Sequence, residues 1–152
     1  AHLRGVRVGP DDDEVVEHDL PTVDPRPLGH ELGLGLGVVH QQDVQAVVNA
    51  LWAGGAEAMM LQDQRVISSS AVRCVGNTLI LQGRVYSPPY VITAIGDTGA
   101  MRDALDDDPQ VENLRQWSVA VGLGYDSALI GEQTFPAFVG SIVPQHAEVP
   151  TA

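Results

Sequence analysis

Between residues 58 and 95 the chain carries five short runs of strand-forming residues, at 58–61, 65–68, 71–75, 78–81 and 90–95, with no crossover helix among them. Gln62-Asp63, Gly76-Asn77 and Gln82-Gly83 fall between or beside these runs as turn pairs. A doubly wound parallel sheet needs helices between its strands, so this stretch excludes one. The pattern predicts an α+β fold: an antiparallel or mixed sheet with two to three helices on one face, a ferredoxin-like arrangement being the specific expectation. With Gln62-Asp63 as a two-residue loop, Met60 opposes Arg65, Met59 opposes Val66 and Ala58 opposes Ile67.

Helical spacing is clear in three places. Val44, Val47, Val48 and Leu51, with Trp52 beside them, predict an amphipathic helix over 41–53 that closes at Gly54-Gly55. Asp97 is placed to cap a short helix carrying Met101, Ala104 and Leu105. Asp108-Pro109 reads as the cap and first residue of another, running through Val111, Leu114, Trp117 and Val121. Residues 122–124 stop that helix, and 125–135 is expected as a last strand or hairpin.

The 152 residues suit one domain, and 44% hydrophobic content favours a packed core over disorder. Its parts are expected as an N-terminal strand and acidic Pro/Gly-rich loop over 1–37, an α+β core over 38–140, and a C-terminal tail over 141–152. Eight arginines against 20 acidic residues leave a net charge of -12, and there is no lysine. That excludes a Walker P-loop, a Schiff-base lysine and a Ser-x-x-Lys nucleophile. The acidic balance argues against nucleic acid, whose affinity comes mainly from phosphate neutralisation, and against an anionic membrane surface. No apolar run approaches the roughly 18 residues of a bilayer span. The one cysteine, Cys74, has no internal partner and reads as a small buried hydrophobe.

Several patterns imitate chemistry. Gly33-Leu34-Gly35-Leu36-Gly37 lacks the third glycine of a dinucleotide fingerprint, because Val38 stands there, and no clear strand precedes it. The aspartate runs at 11–13 and 106–108 fail the calcium-loop pattern at its sixth and twelfth positions. No two of His2, His18, His30, His40 and His146 stand at metal-ligand spacing on a helix. Gly-x-Ser-x-Gly is absent. No cofactor and no metal is expected.

The first helix is the unusual element. Gln42, Gln45, Ala46, Asn49 and Ala53 lie opposite its valine stripe, with no charge between Asp43 and Glu57. Amides and alanines desolvate cheaply and keep hydrogen-bonding capacity, which suits packing against a partner. Arg65 and Arg73 flank the central hairpins as surface residues or further contacts, and either one is able to orient Glu57 or Asp97.

The run from Val39 to Ala58 (VHQQDVQAVVNALWAGGAEA) is continued in order by Gln64-Arg65-Val66, Arg73-Cys74-Val75-Gly76-Asn77, Pro88-Pro89-Tyr90 and Ala94-Ile95-Gly96-Asp97. Together they resemble the YlxW-like family, catalogued as a domain of unknown function, in its actinobacterial form. Residues 3–8 are similar to the strand that opens the family's domain. One departure is local: the family commonly has Asn-Gly at the hairpin tip, where this chain has Gln62-Asp63. A wider or more mobile tip is expected from that.

The resemblance implies an upstream transmembrane helix, often followed by a coiled-coil segment, and then a domain outside the cytoplasm with no established enzymatic activity. The favoured expectation is therefore a non-catalytic, extracytoplasmic interaction domain of a single-pass membrane protein linked to the cell envelope or division. Its partner is a protein of that kind or a second copy of the chain, met through Gln42, Gln45 and Asn49, with Arg65 and Arg73 as further candidates. The rival is an envelope hydrolase pairing His40 with Asp43 or Asp97, which needs those groups to converge in a pocket. A weak divalent-cation module built on the aspartate runs is the third reading.

Overall fold

The computed structural model describes residues 4–9, 39–76, 78–122 and 124–140. The acidic segment and His2, His18, His30 and His146 lie outside them. In chain order the elements are β1 (Arg4–Val8), α1 (Gln41–Ala53), β2 (Ala56–Leu61), β3 (Gln64–Val66), β4 (Val72–Val75), β5 (Thr78–Leu81), β6 (Arg84–Tyr86), β7 (Ile92–Gly96), α2 (Thr98–Asp107), α3 (Pro109–Val121) and β8 (Ser127–Glu132). They form an α+β fold with two sheets, and every strand pair in both is antiparallel.

The larger sheet has the order β3-β2-β7-β1-β8, and the smaller one β4-β5-β6. Strand β7 separates β1 from β2, and β1 separates β7 from β8. Two β-α-β units are thereby split and interlocked, one through α1 and the other through α2 and α3. The smaller sheet is inserted between β3 and β7. It contributes Val72, Leu79 and Leu81 to the same buried cluster as Leu51 and Met59.

Pleating sorts the residues of the larger sheet. Val6, Val8, Met59, Leu61, Ile92 and Ala94 are buried in that cluster with the helices. Arg7, Met60, Arg65 and Thr93 alternate with them on the opposite face and are half-buried. At about 1.5–3 kcal/mol per fully buried aliphatic side chain, the helix-side layer is the main stabilising feature. Asp97 accepts from the Ala100 amide at 3.0 Å, and Asp108 accepts from those of Gln110 and Val111, so both expected caps are in place.

Three expectations need correction. The first hairpin has the expected pairs Met59↔Val66 and Met60↔Arg65, but Ala58 does not meet Ile67. There the strand gives way to a turn in which Ser70 and Ile67 exchange hydrogen bonds. The hairpin tip is not widened, because Leu61 pairs with Gln64 across a two-residue turn. Gln62 takes φ 55 there, and its side chain bonds the Pro89 carbonyl and the Val91 amide, which holds the turn to the neighbouring loop. Finally, β6 has no counterpart among the expected runs, whereas 125–135 holds the last strand, β8, the first of the two forms expected there.

Candidate functional site

Helix α1 packs against α2, α3, β2 and β4, so most of its circumference is covered. What reaches solvent is Gln41 at the helix start and a narrow stripe of Gln42, Asn49 and Ala53, with Gln45 half-buried beside them. Gln45 Nε2 donates to Asn49 Oδ1 at 2.8 Å, so the two amides bond each other along the helix. Ala46, expected on this outer face, is only 3% exposed. It belongs instead to the row Ala46-Ala50-Gly54, one turn apart, which meets α2 at Gly54.

The arginine candidates lie elsewhere. Arg65 opposes Met60 on the sheet face away from the helices, so it shares no surface with the α1 stripe. One guanidinium nitrogen donates to the Pro136 carbonyl at 3.0 Å, while Nε is buried without a partner among the described residues. Arg65 thus fastens the segment after β8 across the sheet instead of orienting Glu57 or Asp97. Arg73 is exposed opposite Ile80 on the outer face of the smaller sheet.

Nor does the structure bring His40 and Asp97 together. His40 is exposed just ahead of α1, and Asp97 caps α2, whose first turn meets Gly54 just past the other end of α1. A helix of 13 residues separates them, about 20 Å. Asp43 is near His40, but its carboxylate accepts from the His40 backbone amide at 2.7 Å and serves as part of the helix cap.

Two features were not anticipated from sequence. In the first, Tyr86 and Arg84 of β6 both donate to the Asp63 carboxylate, Arg84 at 2.8 Å, and Gln64 Nε2 bonds the Tyr86 hydroxyl at 2.9 Å. The Tyr86 hydrogen bond, aided by the Arg84 charge, holds the Asp63 carboxyl below its ordinary value. A depressed carboxyl contributes stability above its unfolded-state value, and that contribution is lost as pH falls through the folded-state value. An NMR titration should place the Asp63 midpoint below that of an ordinary aspartate, and Tyr86→Phe should return it upward. An unshifted midpoint in the wild type would remove this coupling between β6 and the first hairpin.

The second feature is a cavity of about 350 Å³ where β1, α1, the loop before β7 and α3 converge. Val44, Val47, Ile92, Leu114, Pro89 and Tyr90 form much of its wall, and Tyr125 completes it after α3. The peptide bond between Pro88 and Pro89 in this wall is cis. Asp43, Ser118 and Asp126 are its polar lining residues. Burial raises the Tyr125 phenol above its ordinary value, outweighing the neighbouring Arg115, which lowers it. The contributing segments are scattered along the chain, so no local motif announces them.

Comparison with known proteins agrees with the sequence resemblance. Residues 4–148 match the family described as bacterial protein of unknown function (DUF881). The UPF0749 protein Rv1823 of Mycobacterium tuberculosis (strain H37Rv) is 32% identical over 87 residues, covering 57% of this chain and 28% of that protein. The UPF0749 protein YlxW of Bacillus subtilis (strain 168) is 30% identical over 69 residues, 45% of this chain and 30% of that protein. The matched part thus spans less than a third of the length of these curated relatives. A crystal structure of an uncharacterised conserved protein from Mycobacterium tuberculosis superposes with a TM-score of 0.60 at 23% identity, covering 99% of this chain and 90% of that one, and shares the fold.

Proposed function

Because this chain belongs to the DUF881 family of bacterial proteins of unknown function, we propose that it acts as a non-catalytic protein-interaction domain. In this reading the domain lies outside the cytoplasm, on a single-pass membrane protein of the cell envelope or division apparatus. No helix among the described residues is long and apolar enough to cross a membrane, so the anchor of this proposal is a segment outside them. The partner is another envelope or division protein, or a second copy.

One observation carries the reading: the solvent-facing stripe of α1 bears Gln42, Gln45, Asn49 and Ala53 and no charge, in a protein of net charge -12. Charged groups are costly to strip of water, whereas amides are readily re-paired across an interface. The test is affinity capture of the full-length protein from detergent-solubilised envelope, with wild type and Asn49→Arg compared by mass spectrometry. Asn49 is exposed, so the substitution should shift stability by no more than about 0.5 kcal/mol. A partner held by wild type should be lost by the variant. If the same partner is held by both, the α1 stripe is not the interface.

A further inference from the structure

We propose that the cavity between α1, α3 and the Pro88-Pro89-Tyr90 loop binds an apolar group carrying a cation: an aromatic or branched aliphatic body joined within a few bonds to an ammonium or guanidinium. This site is separate from the α1 stripe. At about 100° per residue, Asp43, Val44 and Val47 point to the side of the helix opposite Gln42, Gln45 and Asn49.

The volume and wall select the body of the ligand. About 350 Å³ lies at the small end of the range for ligand pockets, and most of the lining is aliphatic or aromatic. That space suits one ring or one branched side chain, not a nucleotide. The buried Tyr125 hydroxyl, beside Arg115, supplies one hydrogen-bonding group at the edge of an otherwise apolar body.

The polar lining selects the charge. Ser118 already donates its hydroxyl hydrogen to the Leu114 carbonyl at 2.8 Å. Asp43 and Asp126 remain as charged lining groups, and among the described residues no arginine or histidine lines the cavity with them. Arg115 lies 5.4 Å over the ring of the lining residue Tyr125. It is bonded to Asp106 at 2.6 Å and lies 3.8 Å from Glu112. An anion entering the cavity therefore meets two carboxylates with no neutralising partner among the described lining residues, within a strongly acidic protein. A cation gains from both, and the field of the whole molecule steers it inward.

The experiment compares 2-phenylethylamine with 3-phenylpropanoate, which present the same ring with opposite charge. Each is titrated into the 152-residue protein while the methyl signals of Val44, Val47 and Leu114 are followed by NMR. The amine should shift these methyls and bind at least about tenfold more tightly than the carboxylate at low salt, the preference narrowing as salt is added. Asp126→Asn should narrow it several-fold, and Leu114→Trp, which fills the cavity, should abolish binding. Asp126 is exposed, so its variant keeps the test readable if Leu114→Trp fails to fold. A parallel titration with acetyl-Lys-Phe-Lys-amide distinguishes the source of the group. Tighter binding of the peptide assigns the cavity to a basic segment of a polypeptide, and tighter binding of the amine assigns it to a small organic cation. Unmoved methyls with both cations, or equal affinity for amine and carboxylate, overturns the proposal.

Discussion

Gly54→Ala is expected to destabilise the protein by about 3 kcal/mol, against the direction that backbone propensity predicts. Gly54 closes α1 with φ -75, a value any residue adopts, so alanine causes no dihedral strain there. On entropy alone the change should stabilise by about 0.4–1 kcal/mol. Packing decides otherwise. A Cβ at Gly54 would lie 2.6 Å from the Met101 Cα and 2.9 Å from the Ala100 carbonyl oxygen, both backbone atoms of α2. Met101 is fully buried, so relief requires α2 to move as a body. Gly55→Ala is the control: its φ is +84 but the space around it is open, so its cost is strain alone, about 1 kcal/mol. Urea denaturation of both variants settles the matter, and a Gly54→Ala protein as stable as wild type would refute the close approach of α1 and α2.

Leu81→Ala should cost about 3 kcal/mol and leave unfolding as a single transition with a lower midpoint. Leu81 lies in β5 of the small sheet, is 0% exposed, and belongs to the cluster that contains Leu51 and Met59. Replacing its isobutyl group by methyl opens a void in the one buried cluster to which both sheets contribute, so neither can keep its full stability. Denaturation followed by far-UV circular dichroism and by Trp52 fluorescence in Trp117→Phe should give superimposable curves in wild type and variant. Two separated transitions would show that the inserted sheet unfolds by itself, and the single-core description would fail.

Legibility in the sequence followed the range of the interactions. Helix α1 could be read residue by residue because Val44, Val47, Val48 and Leu51 repeat locally, and α3 because Asp108-Pro109 fixes its start. The first hairpin's register could be read from a two-residue loop and pairing arithmetic. By contrast, β6 is three residues long, and its Arg84 and Tyr86 take their role from Asp63, which is distant in sequence. Ala46 looked like part of an outer face because its burial depends on helix packing, which periodicity does not report. The cavity was least legible: Asp43, Pro89, Leu114 and Tyr125 meet only once the sheet and helices are assembled. What the sequence did show directly was the uncharged stretch around Gln45 and Asn49, since a missing charge is visible without a fold.

The position of β1 bears on how the molecule is made. It precedes every other described element yet pairs with β7 on one side and β8 on the other, both beyond residue 91. During synthesis from the N-terminus, β1 therefore leaves the ribosome long before either neighbour exists and has no ladder to join until β7 follows. A ribosome stalled after α3 holds a chain whose sheet lacks one edge. Such long-range pairing is slow and leaves strand edges open in the meantime. Nascent chains of this protein should accordingly be substrates for holding chaperones until the last strand is released.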